Sequence, residues 1–89
     1  MTATLADIAR RHCYASKPAL CLERLIVDMY GLTGSSFRRI AAGKLNASAK
    51  FLTRLDQAHT RLFPSEPVTL LLPNQPPVLL GHNPKPTDP

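Results

Sequence analysis

The stretch that most constrains the fold is residues 29–48, MYGLTGSSFRRIAAGKLNAS, because two glycines bracket a short segment of helical pattern. Gly31 closes one apolar segment and Gly43 closes the next. Glycine adopts a positive φ at little steric cost, so it commonly ends a helix and lets the chain turn. Thr33 is suited to cap the second segment through its hydroxyl. The pattern predicts a helix over about residues 35–42, joined to the preceding helix by a tight turn.

This short helix is predicted to bury one face and expose the other. Phe37, Ile40 and Ala41 are spaced i, i+3, i+4 and form an apolar stripe. At about 100° per residue, the opposite side and its flanks carry polar residues. They are two serines and two arginines: Ser35, Ser36, Arg38 and Arg39. Such a face suits a groove lined with phosphates and base edges.

Three more helices are predicted from their apolar spacing. The first covers about residues 4–16, with Thr4 as its cap. The second covers about residues 18–30 and is apolar nearly all round, so we expect it to be the central helix. The third, about residues 47–63, has the strongest 3.6-residue pattern and ends before two prolines. His59 borders its apolar stripe, where we expect a histidine at the edge of the core.

The composition changes after residue 63, because eight of the nine prolines lie in the last 26 residues. Two apolar runs, VTLLL at 68–72 and VLL at 78–80, are strand-like in length and allow a two-stranded ribbon. We interpret residues 64–80 as an extended docking or dimerisation segment, with a strap over the protein's own core as the alternative. The predicted dimer contacts are Val68, Leu70, Leu72 and Leu79. Residues 81–89 have no apolar content to bury and are predicted to be disordered.

The charge balance suggests an anionic partner. The formal net charge is +5, and the basic residues concentrate between positions 34 and 61, which hold six of them and one acid. This places the excess positive charge on the short helix and on the helix that follows it. A basic surface of this kind favours nucleic acid but does not by itself establish it.

Several other classes of protein are disfavoured. No apolar run approaches the roughly 20 residues that span a bilayer, and the N-terminus lacks the pattern of a secretory signal, so we expect a cytoplasmic protein. Cys13 and Cys21 form no metal-ligand motif, and we expect free thiols, no metal and no cofactor. No His, Cys or second carboxylate lies at a catalytic spacing from Glu23 or Asp28, so we expect no enzymatic activity.

Residues 26–48, IVDMYGLTGSSFRRIAAGKLNAS, resemble the helix-turn-helix of phage-repressor and Cro-like (XRE-type) DNA-binding proteins. Gly31 falls at the turn glycine of that family. Phe37 and Ile40 fall at apolar positions of its recognition helix, and Gly43 falls at the glycine that ends it. The resemblance extends over about residues 22–62, just under half of the chain.

The resemblance implies a mainly all-α fold, with a small four-helix helix-turn-helix domain over residues 1–63 and a Pro-rich extended or β-ribbon tail. It also implies a sequence-specific transcriptional regulator, of the repressor kind, in a bacterial or phage-infected cell. Proteins of this family bind double-stranded DNA as homodimers on spaced half-sites.

Carried over by position, the resemblance assigns roles to individual residues. The start of the recognition helix, with Gly34, faces the groove. Base contacts are then expected from Ser35, Ser36, Arg38 and Arg39, and phosphate contacts from Lys44, Asn46 and Lys50. Arg39 is the best candidate for bidentate contact with a guanine edge.

Three positions depart from the family pattern. Val27 stands where the family usually has a small residue, and Glu23 stands where many members have a phosphate-binding glutamine. Gly34 offers no side chain where members often make their first base contact. These departures leave open an alternative, in which the helix-turn-helix serves as a protein-binding module, such as a small phage-type inhibitor or an antitoxin-like partner.

Overall fold

The structure, a computed structural model, describes residues 2–17 and 20–81. Within these ranges the chain forms four helices and three strands. In chain order they are β1 (Thr2–Thr4), α1 (Leu5–Ala15), α2 (Leu22–Tyr30), α3 (Gly34–Ala41), α4 (Ala49–Leu62), β2 (Val68–Leu72) and β3 (Gln75–Leu80).

The strands form a three-stranded mixed sheet in the order β1-β2-β3, so the fold is α+β and the prediction of a mainly all-α protein was wrong. β2 and β3 form the expected antiparallel ribbon, in which Val68 pairs with Leu80. The N-terminal segment adds β1 parallel to β2, with Ala3 opposite Leu70. Three residues are too few to show a strand pattern, and their partner lies near the other end of the chain.

Helices and sheet share one hydrophobic core. β2 alternates between buried and outward-facing residues, as a strand covered on one face does. Its buried side chains, Val68, Leu70 and Leu72, join residues of all four helices in a single cluster that includes Leu25 and Leu55. Residues 68–80 therefore pack on the helices as part of the same fold, which agrees with the strap alternative.

The helix boundaries follow local signals in the sequence. Thr4 caps α1 as predicted, and it forms a capping box with Asp7. Ser48 caps α4 through a hydrogen bond from the Phe51 N–H, at 3.1 Å. None of the described helices is both long and apolar enough to cross a membrane.

α2 is shorter and less enclosed than predicted. It begins at Leu22, and of its residues Leu25, Ile26 and Tyr30 are buried, whereas Leu22 and Val27 are exposed. It is therefore not a helix covered on all sides. The predicted start at Pro18 and Ala19 lies outside the described residues.

The predicted disordered tail lies mostly outside the described residues. Its first residue, Gly81, is held in place, because its N–H donates to Asp56 Oδ1 at 2.6 Å. Residues 82–89 are not among those that the structure describes.

Candidate nucleic-acid interface

A tight turn joins α2 to α3. Gly31 ends α2 with a φ of 70°, the left-handed conformation that favours glycine. The Leu32 N–H donates to the Ile26 carbonyl at 3.2 Å, which satisfies a carbonyl at the end of α2. Thr33 then caps α3 by accepting the Ser36 N–H at 3.1 Å. The three-residue connection, Gly31 to Thr33, is of the length that helix-turn-helix motifs use.

The buried face of α3 is the one predicted from the sequence. Phe37 and Ile40 are buried, and the Phe37 ring stacks on Tyr30 with centroids 6.4 Å apart. These two anchors fix the rotation of α3 about its own axis. Because they point inward, Arg38 and Arg39 are held on the surface, where both are exposed.

The predicted base-contacting residues do not all share one environment. Ser35, Arg38 and Arg39 are exposed. Ser36 is half-buried, and its hydroxyl lies 3.1 Å from that of Thr33 within the N-terminal cap of α3. Three of the four predicted residues are thus free to face a ligand, and Ser36 acts in the cap.

The loop after α3 carries two of the predicted phosphate contacts and is held by the β2–β3 hairpin. Lys44 and Asn46 are exposed in this loop. The Asn74 side-chain amide donates to the Gly43 carbonyl at 2.7 Å, and the Ala47 N–H donates to Gln75 Oε1 at 2.8 Å. The hairpin turn therefore fixes the backbone that presents Lys44 and Asn46. The third predicted phosphate contact, Lys50, is exposed in the first turn of α4.

Positive charge on α3, α4 and the loop between them is not neutralised within the described part of the chain. Six basic residues there form no ion pair with any described residue: Arg38, Arg39, Lys44, Lys50, Arg54 and Arg61. Three acids pair elsewhere, in the pairs Asp7–Arg10, Glu66–Arg11 and Asp28–Arg24. Asp56 is occupied by the Gly81 N–H. A surface with cations and few local counter-charges attracts an anionic partner.

A buried hydrogen-bonded chain of side chains, which the sequence analysis did not predict, supports this surface from inside. Tyr30, His12 and His59 are at most 1% exposed. Tyr30 Oη lies 2.6 Å from His12 Nδ1, and His12 Nε2 lies 3.0 Å from His59 Nδ1. His59 Nε2 lies 2.7 Å from the backbone carbonyl of Glu66. We call this chain the Tyr30–His12–His59 relay.

The end of the relay fixes one of its protons. A carbonyl only accepts, so His59 Nε2 must donate to Glu66. When both imidazoles are neutral, His59 Nδ1 accepts from His12 Nε2, and His12 Nδ1 accepts from the Tyr30 hydroxyl. Burial, with smaller contributions from His59 and Arg11, lowers the pKa of His12 from 6.5 to about 4. Burial and the nearby Cys13 raise the pKa of Tyr30 well above its usual range.

The relay has a signal in the sequence. His12 lies seven residues after Leu5 and four after Ile8, which places it on the apolar stripe of α1. His59 lies four residues after Leu55 and was expected at the edge of the core, whereas it is fully inside. A histidine on an apolar stripe indicates a buried, hydrogen-bonded imidazole. Among the described residues no group of three or more metal-ligating side chains is suited to a metal ion. Cys13 and Cys21 are free thiols, as predicted.

Most of the predicted dimer contacts lie in the protein's own core. Val68, Leu70 and Leu72 are at most 7% exposed, so their side chains are not available to a partner. The reason is the two-residue period of β2, which directs alternate side chains onto the helices. Leu79 is 58% exposed, and Leu71 is 43% exposed. These two leucines point away from the core.

Comparison of the chain with protein-family models, with curated proteins and with solved structures finds no match.

Proposed function

We propose that the protein is a sequence-specific DNA-binding transcriptional regulator, of the repressor kind, that acts as a homodimer through α2, α3 and the turn between them. The observation that carries the proposal is the orientation of α3. Phe37 and Ile40 are anchored in the core, while Arg38 and Arg39 are exposed and form no ion pair with a described residue. A helix that is anchored by its buried face and presents its exposed face is what the major groove of DNA admits.

Each charged group has a separate task in this proposal. Arg39 has the five-donor fork that reads the O6 and N7 atoms of a guanine, and Arg38 contacts a base or a phosphate. Lys44, Asn46 and Lys50 contact phosphates. Phosphate contacts orient the protein on the duplex without reading its sequence.

A homodimer would use the outer face of the sheet. Leu79 pairs with Thr69 across β2 and β3, and Leu71 lies two residues further along β2, so both leucines are on that face. Both are exposed and apolar. A second copy of the chain would bury both leucines without bringing like charges together. The basic surface is unsuited to this contact, because the positive charges of two copies would repel each other.

The first test is a titration against duplex DNA at rising salt. Four lysines, Lys44 and Lys50 from each protomer, would neutralise four phosphates. The logarithm of the affinity should then fall linearly with the logarithm of the salt concentration, with a slope of about −3.6 or steeper. Absence of duplex binding at low salt, or a slope near zero, would refute the proposal.

The second test separates base reading from phosphate contact. Arg39→Ala should weaken binding to a selected site by about 5- to 150-fold, the equivalent of about 1–3 kcal/mol, and weaken binding to random duplex much less. Arg61→Ala is the charge-matched control, since Arg61 lies in the last turn of α4 and lines the groove between α2 and α4. If Arg39→Ala weakens binding to the selected site and to random duplex equally, Arg39 does not read a base.

A protein-binding module is the second candidate, and one observation favours it. Glu23 is exposed near the start of α2, next to exposed Leu22, and it forms no ion pair with a described residue. A carboxylate there is repelled by phosphate but is acceptable to a protein partner. In the salt titration this candidate predicts no duplex binding.

A further inference from the structure

An open cleft lies between the start of α2 and the start of α3. Its volume is about 520 Å³. Leu22, Ile26 and Phe37 form its apolar lining, which we call its floor, and Glu23 and Arg38 are its charged lining residues. Ile26 and Phe37 are anchored in the core, so the floor is rigid, while Leu22 is 44% exposed.

Gly34 keeps this cleft open. It is the first residue of α3, and its φ is not among the positive values of the chain, so the backbone does not require glycine there. A Cβ built on Gly34 would meet Arg38 Nη1 at 3.7 Å, an ordinary contact. Glycine is a poor helix former. At this position it leaves open space at the N-terminus of α3, the end that faces the bases in the proposed function.

We propose that this cleft takes the 5-methyl group of a thymine in the bound duplex, beside the guanine that Arg39 or Arg38 reads. The inference rests on the proposed function. The thymine methyl is the apolar group that base pairs present in the major groove. A T·A pair also presents there an acceptor, thymine O4, and a donor, adenine N6–H. Among the residues that line the cleft, Arg38 supplies a donor and Glu23 supplies an acceptor.

DNA is favoured as the occupant because of charge. Arg38 at the cleft and Arg39 on the next position of α3 form no ion pair with a described residue. Glu23 is the one carboxylate in the described lining of the cleft, and it forms no ion pair with either arginine. An apolar segment of another protein would fill the floor and leave these two cations without partners. A methyl group carried on an anionic duplex satisfies both the floor and the cations.

The test uses a duplex selected by the full-length protein from a random pool. Each thymine in turn is replaced by deoxyuridine, which lacks only the methyl, and affinity is measured by fluorescence anisotropy. At one thymine per half-site the wild-type protein should lose about fourfold in affinity, the value of burying one methyl group. Replacing every other thymine should change affinity by much less.

Two variants test the location of the methyl. Gly34→Val fills the mouth of the cleft, and Leu22→Ser makes its floor polar at a position that is already half exposed. Both should abolish the preference for thymine over deoxyuridine at that one position. Gln57→Ala, exposed on α4 and outside the cleft, should retain the preference. Circular dichroism establishes that the variants are folded.

A further arm distinguishes the two sources of a pyrimidine methyl. At the critical position, a C·G pair with and without 5-methylation replaces the T·A pair. If the cleft reads thymine, methylation of the cytosine should restore less affinity than thymine provides. If 5-methylcytosine binds better than thymine, the inference of thymine as the occupant is overturned.

The two proposals fail in different ways. A protein that binds duplexes with a steep salt slope, yet binds thymine and deoxyuridine equally at every position, overturns this inference and leaves the proposed function standing. The same holds if a preference exists but survives in both Gly34→Val and Leu22→Ser. A protein that binds no duplex overturns the proposed function and this inference with it.

Discussion

Lowering the pH from 7.5 to 5.0 should destabilise the fold through His12. Its pKa is about 4 in the folded protein, against 6.5 for an unperturbed histidine. Between these values the unfolded chain binds a proton that the folded chain excludes, because burial disfavours the charged imidazole, with smaller contributions from His59 and Arg11. The contribution of His12 to the free energy of unfolding is therefore fully present above pH 6.5. It falls as the pH drops from 6.5 to 4, and nothing more is lost through this group below pH 4.

The size of the effect follows from the two pKa values. Their difference of about 2.5 corresponds to about 3 kcal/mol when the transition is complete. At pH 5.0 the unfolded histidine is almost fully protonated and the folded one is largely neutral, so the loss is about 2 kcal/mol. With a urea dependence of about 1 kcal/mol per molar for a small protein, the midpoint should move down by about 2 M. Urea unfolding followed by far-ultraviolet circular dichroism measures it.

His12→Gln is the control for this prediction. Its amide nitrogen takes the place of Nε2 and donates to His59 Nδ1, and its oxygen accepts from Tyr30, but the side chain does not titrate. The variant should be less stable at pH 7.5, since packing is lost, yet lose little between pH 7.5 and 5.0. If wild type and His12→Gln lose the same stability over this range, the pH dependence arises from other groups and the reasoning is refuted.

Two further predictions concern the turn after α3 and the outer face of the sheet. Gly43→Ala should destabilise the protein by about 1–2 kcal/mol in urea unfolding. Gly43 has a φ of 80°, and a Cβ there would lie 2.9 Å from Asn74 Nδ2 and from Pro73 Cβ. Gly34→Ala, where the space is open, should cause no such loss of stability, and equal losses in the two variants would contradict this explanation. Leu79→Glu should lower the mass measured by light scattering while leaving the circular dichroism spectrum intact, and an unchanged mass would exclude the outer sheet face as the dimer contact.

The parts of the fold that the sequence predicted are those with local causes. The helix expected over residues 35–42 is α3, Gly34–Ala41, and its cap is Thr33 as predicted. Phe37 and Ile40 are buried, as their spacing requires. Each of these features depends on residues at most a few positions apart. The exposure of Arg39 follows from them, so the orientation of the candidate interface was also predictable.

The parts that the sequence did not predict depend on distant partners. β1 has three residues, and Thr2 pairs with Thr69, so nothing in its own segment marks it as a strand. The Tyr30–His12–His59 relay also depends on distant partners. The positions of its histidines on apolar stripes are visible in the sequence, but the contact between His12 and His59 joins residues 47 positions apart. Only the packing of α1 against α4 brings them together.

These long-range contacts decide how well the candidate interface is held. Tyr30, the last residue of α2, is fixed by the relay and stacks on Phe37 of α3. At the other end of α3, Asn74 in the hairpin turn holds the Gly43 carbonyl. α3 is thus fixed at its start through α1 and α4 and at its end through the sheet. A side chain that reads a base needs such rigid support, since a small displacement breaks a bidentate contact. The β2–β3 hairpin, which was predicted as a segment apart from the helical domain, therefore helps to position Arg39.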